Sequence, residues 1–214
     1  MSDQPVDVAA GPPGALPRPD WKPGAEFTAA DLRLDQSYRL QRLRRHLRLV
    51  HGWGIVCGLN VVSAADAANR WSLFLCPGYG ISPCGDEIAV AERFRFDLRD
   101  YLWTQPVGQT IRRVWIAVEA DEIPNALEPV PPCGCGCGEP RYMPSRLSDG
   151  FRIALYWTAP VSDRGHFDFC NGATPPCPPC PDACGLIVAR IALPRSPSEF
   201  LLNSAIDNIN VGGE

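Results

Sequence analysis

The chain has 214 residues, a hydrophobic fraction of 45% and a formal net charge of −4, which together allow one domain with a sizeable core. Its 23 prolines and 19 glycines concentrate in an N-terminal arm and in two cysteine-bearing segments. No run of about 18 apolar residues exists, so no membrane span is expected, and the acidic, proline-rich start lacks the pattern of a signal peptide.

Residues 1–26 are predicted to form an extended arm. The prolines of GPPGALPRPDWKPG exclude a helix, and a segment with so few apolar residues is disordered when isolated. An ordered arm of this composition requires a neighbouring chain, and Trp21 is the predicted contact residue. Because no signal peptide precedes the arm, we expect an intracellular chain, or one that is released only with a larger assembly.

Residues 27–53 are predicted to form one long amphipathic helix that ends in a glycine elbow. Thr28 can cap the N-terminus, with Asp31 three residues later in a capping-box arrangement. The helix is expected to end near Gly52, because glycine is preferred just past a helix C-terminus. At about 100° per residue, one apolar stripe covers roughly 80° of the helix and is predicted to face the core. Its members are Leu32, Leu40, Leu43, Leu47 and Val50.

A second, weaker apolar patch on the opposite side of the helix points to a partner or a symmetry mate, although scattered surface leucines are common. Residues 28–50 also carry six arginines and two aspartates, a local charge of +4 against −8 for the rest of the chain. Nucleic acid is not expected, because the arginines lie all around the helix without an aromatic platform. They would pair with an acidic partner or neighbouring subunit, and a solvent-facing surface is the alternative. The predicted partner-binding residues of the helix are Leu34, Tyr38, Arg39, Arg42, Arg45 and Arg48.

The chain after the elbow is predicted to be a mainly β domain over residues 54–195, either a sandwich or a small barrel. Short apolar segments alternate there with turn signals. The predicted strands are 54–62, 70–76, 79–82, 87–91, 111–120, 151–157 and 185–193. The C-terminal tail, residues 196–214, is expected to hold a short helix over 198–206 and an extended segment over 207–211.

Two excursions from this domain, residues 121–149 and 158–184, are predicted to be long Cys-rich loops. Each is about 30 residues long, whereas connections usually have about four to six, so they should be functional or internally cross-linked. Their Cys-x2-Cys element presents two sulfurs to one ion, and a structural zinc site is the first interpretation. The candidate ligands are Cys133, Cys135, Cys137, Cys170, Cys177, Cys180 and Cys184.

Other states of these cysteines remain open, namely disulfides, an iron–sulfur cluster and free thiols. The last four candidate ligands could complete a site alone, in which case the first three would need a ligand from elsewhere or would form disulfides. Cys57, Cys76 and Cys84 lie in or beside predicted strands and are expected to be small buried hydrophobic residues.

No catalytic motif is present. The three histidines belong to no HExxH pattern, and no P-loop, G-x-G-x-x-G or G-x-S-x-G pattern occurs. The carboxylates at 86–87 and 119–122 are explained by turns and solvation. We therefore expect no enzyme activity, no catalytic residue and no cofactor besides the zinc.

Three short motifs suggest a role. The first is FTAADL at 27–32 with QSY at 36–38, an Arg-rich helix and HGWGIVCGL at 51–59. The second is CPGYGI at 76–81 with GDEI at 85–88, and the third is SRLSDGFRI at 145–153, in which Asp149 stands where a glutamate is expected. Together they resemble baseplate-associated or fibre-attachment proteins of contractile injection systems and phage-tail-like particles.

The resemblance implies a structural role without chemistry. The partners would be other subunits of a tail-like particle, the chain would be oligomeric or particle-bound, and it would assemble in the cytoplasm and leave the cell only as part of an extracellular particle. Two alternatives remain: a free-standing cysteine-rich metal-binding or redox protein, and a receptor- or glycan-binding tail-fibre module.

Overall fold

A computed structural model describes residues 16–100, 113–130, 141–158, 183–196 and 198–209. Within these ranges a helix, α1 (Ala29–His46), continues into a π-helical turn, Leu47–His51, and strands follow. The strands are β1 (Gly54–Gly58), β2 (Val61–Ser63), β3 (Ser72–Leu75), β4 (Gly78–Ile81), β5 (Glu87–Val90), β6 (Phe94–Asp97), β7 (Arg113–Val130), β8 (Arg141–Tyr156), β9 (Leu186–Ala192) and β10 (Ile206–Asn208).

Local signals set both ends of the helix. The Thr28 hydroxyl accepts the Asp31 N–H at 3.2 Å, and the Asp31 carboxylate accepts the Thr28 N–H at 3.0 Å, which is the expected capping box. The hydrogen bonds from Thr28, first from its side chain, lower the pKa of Asp31. Gly52 ends the helical segment with φ +74°, a conformation that favours glycine.

The prediction that the apolar stripe of the helix faces the core is wrong. No residue of α1 is buried, and Leu32, Leu40 and Leu43 are 39–56% exposed. The physical reason is that the strands close the core by themselves, so the helix meets the domain only near its C-terminal end. The apolar stripe exists, but the core that the described strands form does not cover it.

A bent two-stranded ribbon joins the first two sheets. Their strand orders are β1-β4-β5 and β2-β3-β6. Only residues 59–60 separate β1 from β2, and only residues 76–77 separate β3 from β4, so the same paired segments serve both sheets and turn a corner there. The corner needs glycine at position 58, where φ is +62° and a Cβ would lie 2.8 Å from the Cα of Gly78. The predicted strand 54–62 is therefore divided in two.

The third sheet has the order β10-β9-β7-β8, and both neighbours of β7 run antiparallel to it. The asparagine side chain of β10 ties this sheet to β2. The Val61 N–H donates to Asn208 Oδ1 at 2.7 Å, and Asn208 Nδ2 donates to the Val61 carbonyl at 3.0 Å. The predicted helix over 198–206 is wrong apart from one 3-10 turn, Asn203–Ala205.

One apolar core lies between the three sheets. Its largest fully buried side chains include Leu59, Leu73, Leu75, Ile88, Leu98, Ile116, Ile191 and Leu201. Burial of these side chains is the main stabilising contribution, at about 25 cal/mol per Å². The fold is mainly β with one long helix, as predicted, and among the described strands no sheet closes into a barrel.

The prediction of a loop over residues 121–149 is wrong for much of that range, because β7 and β8 run through it. The two strands stay in register from Trp115 opposite Tyr156 to Val130 opposite Arg141. We call the part from Glu119 to Val130 and from Arg141 to Arg152 the ribbon arm, since β9 pairs with β7 only as far as Val118. The core of the second predicted loop, 159–182, lies outside the described residues.

Candidate assembly surface

The C-terminal end of α1 rests on the tight turn between β4 and β5. The turn is built on Ser82, whose Oγ accepts the N–H of Cys84 at 3.2 Å and of Asp86 at 3.0 Å. Gly85 has φ +89°, and a Cβ there would overlap the Arg44 carbonyl oxygen and lie 2.8 Å from its carbon. The Arg44 guanidinium forms an ion pair with Asp86. The turn therefore holds the helix through close backbone packing and one ion pair.

A disulfide fixes the same turn to the third sheet. Cys84 is bonded to Cys184, which lies 100 residues later and just before β9. This corrects the zinc interpretation for Cys184, for which a disulfide was the open alternative, and the prediction that Cys84 is a small buried hydrophobic residue. A sulfur in a disulfide has no thiolate to offer a metal.

The other cysteines give a mixed result. Cys57 is exposed, not buried as expected, and Cys76 is half-buried; both are free thiols. Six candidate zinc ligands lie outside the described residues, namely Cys133, Cys135, Cys137, Cys170, Cys177 and Cys180. In the part of the chain that the structure describes, no group of three or more His, Cys, Asp or Glu side chains could hold a metal ion.

A cleft of about 650 Å³ separates the second half of α1 from the sheets. Its helix side is formed by Leu40, Leu43 and Leu47, together with Arg44, whose charge is paired with Asp86. Its sheet side is acidic and carries Asp86, Glu87, Asp121, Glu122 and Asp149. We call this space the acidic cleft.

Two of these carboxylates already have partners. Asp86 pairs with Arg44, and Glu87 accepts the Tyr79 hydroxyl at 2.5 Å. That hydrogen bond, helped by burial, raises the pKa of Tyr79 to about 12.

The other three carboxylates, at the base of the ribbon arm, form no ion pair with any described residue. Glu122 lies directly opposite Asp149 in the β7–β8 register, and Asp121 lies next to them. Like charges directly opposite each other on paired strands are destabilising. A cation entering the acidic cleft would relieve this repulsion.

The predicted partner-binding residues of the helix are at its surface, mainly on the side away from the acidic cleft. Arg42 stacks over the Tyr38 ring at 5.7 Å, and Arg39 pairs with Asp35 at 2.9 Å. Leu34 is exposed. Of the remaining two members of the set, Arg45 is exposed and Arg48 is half-buried.

Trp21 precedes the helix and is 44% exposed. Its ring meets that of Phe27 edge-to-face, with centroids 4.8 Å apart. The two rings shield each other in part, and Phe27 stays exposed as well. This aromatic pair therefore extends the exposed apolar surface of α1 beyond the helix N-terminus.

Sequence reasoning missed the ribbon arm as a surface. Large apolar side chains along it are 50–65% exposed, namely Ile123, Leu127, Tyr142, Met143 and Leu147. A two-stranded hairpin on its own is at best marginally stable in water, and it gains stability when it packs on another element. The available signal was the apolar content of 142–155, but the prolines and cysteines nearby favoured a loop.

A polar network fixes the base of the ribbon arm. Glu119 accepts Arg152 Nε at 2.7 Å and the Tyr156 hydroxyl at 2.9 Å. Burial, and after it the hydrogen bond to Glu119, raises the pKa of Tyr156 to about 12. The network sets the direction in which the arm leaves the sheet.

Neither a comparison of the chain with protein-family models nor one with curated proteins finds a match. Within the described ranges, no helix combines the length and the apolar character needed to cross a membrane. A functional proposal for this chain depends on its surfaces and its sequence motifs.

Proposed function

We propose that the chain is a structural subunit of a contractile injection system or phage-tail-like particle, baseplate-associated or attaching a fibre. The observation that carries the proposal is the helix α1, which is amphipathic over 18 residues and has no buried residue. Its apolar side chains belong to no core formed by the described residues. A structural subunit would bury them against its neighbours.

The energetics of the helix support this proposal. Even for a helix of 18 residues, most of the stability in a protein comes from packing an amphipathic face and not from helix propensity. The capping box contributes about 1 kcal/mol and the Arg39–Asp35 pair a few tenths, which does not replace a packed face. The helix is therefore expected to be fully stable only in an assembly.

The three motifs that resemble particle proteins also coincide with the candidate surface. The first covers α1, the elbow and β1, the second includes the turn at Gly85 that holds the helix, and the third lies on β8. Three carboxylates of the acidic cleft, Asp86, Glu87 and Asp149, belong to these motifs. The resemblance and the exposed surfaces thus point to the same part of the molecule.

The partners under this proposal are other subunits of the particle, which assembles in the cytoplasm and leaves the cell as a whole. Zinc bracing of the Cys-rich segments is part of the proposal for the six cysteines outside the described residues. Metal analysis with thiol counting tests it. Bound zinc whose removal lowers the melting temperature supports a structural brace, whereas free thiols without metal contradict it.

The decisive experiment is to purify the particle from the organism that encodes the chain and to identify its subunits by mass spectrometry and cryo-electron microscopy. The variant Leu32→Glu places a charge in the exposed helix stripe, and we expect it to fold but to be lost from particles. The matched control Leu202→Glu changes an equally exposed leucine outside the helix and should be incorporated normally. Particles that lack the chain, or that incorporate Leu32→Glu normally, would refute the proposal.

A further inference from the structure

We infer that the acidic cleft receives the N-terminal half of α1 from a second copy of this chain. The inference rests on the proposed assembly role and names one partner for it. The contact is head-to-tail, because the helix of one copy meets the cleft of the next. Such contacts build closed rings or open filaments.

The apolar surfaces of the two copies are complementary. Leu40 and Leu43 line the acidic cleft, yet they remain 39% and 45% exposed, so the cleft wall is only partly covered. The same helix stripe continues away from the cleft to Leu32, which is 56% exposed. A second helix laid along the wall would bury Leu32 of one copy on the leucines of the other.

The charges are complementary as well. At about 100° per residue, Arg33 and Arg39 lie on either side of the stripe that carries Leu32. Arg33 forms no ion pair with any described residue, and Arg39 pairs only with Asp35 at an exposed position, which contributes little. These arginines match the sheet side of the cleft, where the Glu122–Asp149 pair has no counter-ion in the described part of the chain.

The helix cannot make this match within its own copy. Arg33 lies 11 residues before Arg44, the residue held at the turn, and at 1.5 Å per residue this places it about 16 Å along a rigid helix. The helix would have to break for Arg33 to reach the acidic cleft of its own copy. A second copy satisfies both surfaces without such a change.

The test measures self-association of the full chain by light scattering and sedimentation over about 1–100 µM, a range that detects dissociation constants in the micromolar region. We expect concentration-dependent association that weakens at high salt, because salt screens exposed charges. Arg33→Glu and Asp149→Arg should each weaken association at least about ten-fold, since each creates a like-charge contact. Asp149→Arg should also fold well, because it gives Glu122 a cationic neighbour.

Two matched controls keep the charge change but move it off the contact. Arg113→Glu lies at the start of β7, outside the helix and the lining of the acidic cleft, and Glu128→Arg lies further out on the ribbon arm, so both should associate like the wild type. A mixture of Arg33→Glu and Asp149→Arg should associate again, because the unchanged helix of the Asp149→Arg copy then meets the unchanged cleft of the Arg33→Glu copy, and the new glutamate meets the new arginine in the reverse contact. Thermal melting of each variant checks that it is folded.

Three results would overturn the inference: a wild type that stays monomeric throughout, equal effects of Arg33→Glu and Arg113→Glu, or a mixture that does not associate. The first of these would indicate that another molecule or another segment of this chain occupies the acidic cleft. Failure here and failure of the proposed function are separable. If the chain is monomeric but is found in purified particles, the proposed function stands and this interface does not. If the chain self-associates but the particles lack it, this interface stands and the proposed function does not.

Discussion

Replacing Gly85 by alanine should loosen the helix from the β domain. A Cβ at this position would overlap the Arg44 carbonyl oxygen, and that carbonyl is backbone, so no side-chain rotation can relieve the overlap. The turn and the end of α1 must therefore separate. The ion pair between Arg44 and Asp86 would be stretched by the same movement.

The magnitude follows from two contributions. Alanine at φ +89° adds backbone strain of about 1–2 kcal/mol. The overlap adds to this, because the helix loses its contact with the turn. For a chain of this size, each kcal/mol lowers the melting temperature by about 2–4 °C, so we expect a decrease of about 4–10 °C.

Two other glycines with positive φ provide the matched controls. Gly24 has φ +81° and Gly52 has φ +74°, and a Cβ at either position would meet nothing within 4 Å. Alanine at these positions adds strain without overlap. Hydrogen exchange of the helix amides and thermal unfolding, both without reductant, compare the three variants. The reasoning is refuted if Gly85→Ala melts like the two controls and its helix amides exchange no faster than theirs.

Three further predictions concern the stability of the β domain. Trp71→Phe should be at least about 1 kcal/mol more destabilising than Trp53→Phe in denaturant titrations. The Trp71 indole donates to a backbone carbonyl at 3.1 Å, whereas the buried Trp53 indole nitrogen has no partner among the described residues. Equal losses of stability in the two variants would contradict this. Cys84→Ser, which removes the disulfide to Cys184, should lower the free energy of unfolding by about 2–4 kcal/mol, and reductant should destabilise the wild type more than the variant. Because the pKa of Tyr156 is raised from 10.0 to about 12, its contribution to stability is complete below pH 10 and is lost as the pH rises toward 12. Tyr156→Phe should flatten this alkaline loss in pH-dependent melting, and an unchanged slope would count against the assignment.

Features set by neighbouring residues could be predicted from the sequence. The capping box at Thr28 and Asp31 and the helix end at Gly52 depend on contacts within a few residues, and the structure confirms them. The short strands between turn signals were found for the same reason. β6 was missed, because its sequence FRFD is short and charged and its place is set by pairing with β3.

The partner of an apolar face could not be predicted. The periodicity of the helix shows that one face is apolar, but it does not say whether a core or another molecule covers that face. The structure gives the answer only through tertiary packing, since the strands fill the core without the helix. The disulfide was unpredictable for a related reason, because Cys84 and Cys184 are 100 residues apart and meet only through the sheet topology.

The ribbon arm contains prolines inside its strands, which an edge strand tolerates and a central strand does not. Pro124, Pro129 and Pro144 lie within its strands, where proline would break a central strand. Each strand of the arm has only one neighbouring strand in the described structure, so a proline nitrogen can face the open side without losing a ladder hydrogen bond. The rule that proline is excluded from central strands therefore holds, but the sequence does not show which strands lie at an edge of the sheet.

The acidic cleft is held open by contacts on both of its sides. The turn at Gly85 fixes the helix, the disulfide fixes that turn to the third sheet, and the network around Glu119 fixes the base of the ribbon arm. An interface whose walls are already in place loses less conformational entropy when a partner binds. Under the inference that a second copy docks in this cleft, the fixed walls lower the interface area that docking requires, relative to a flexible surface of the same composition.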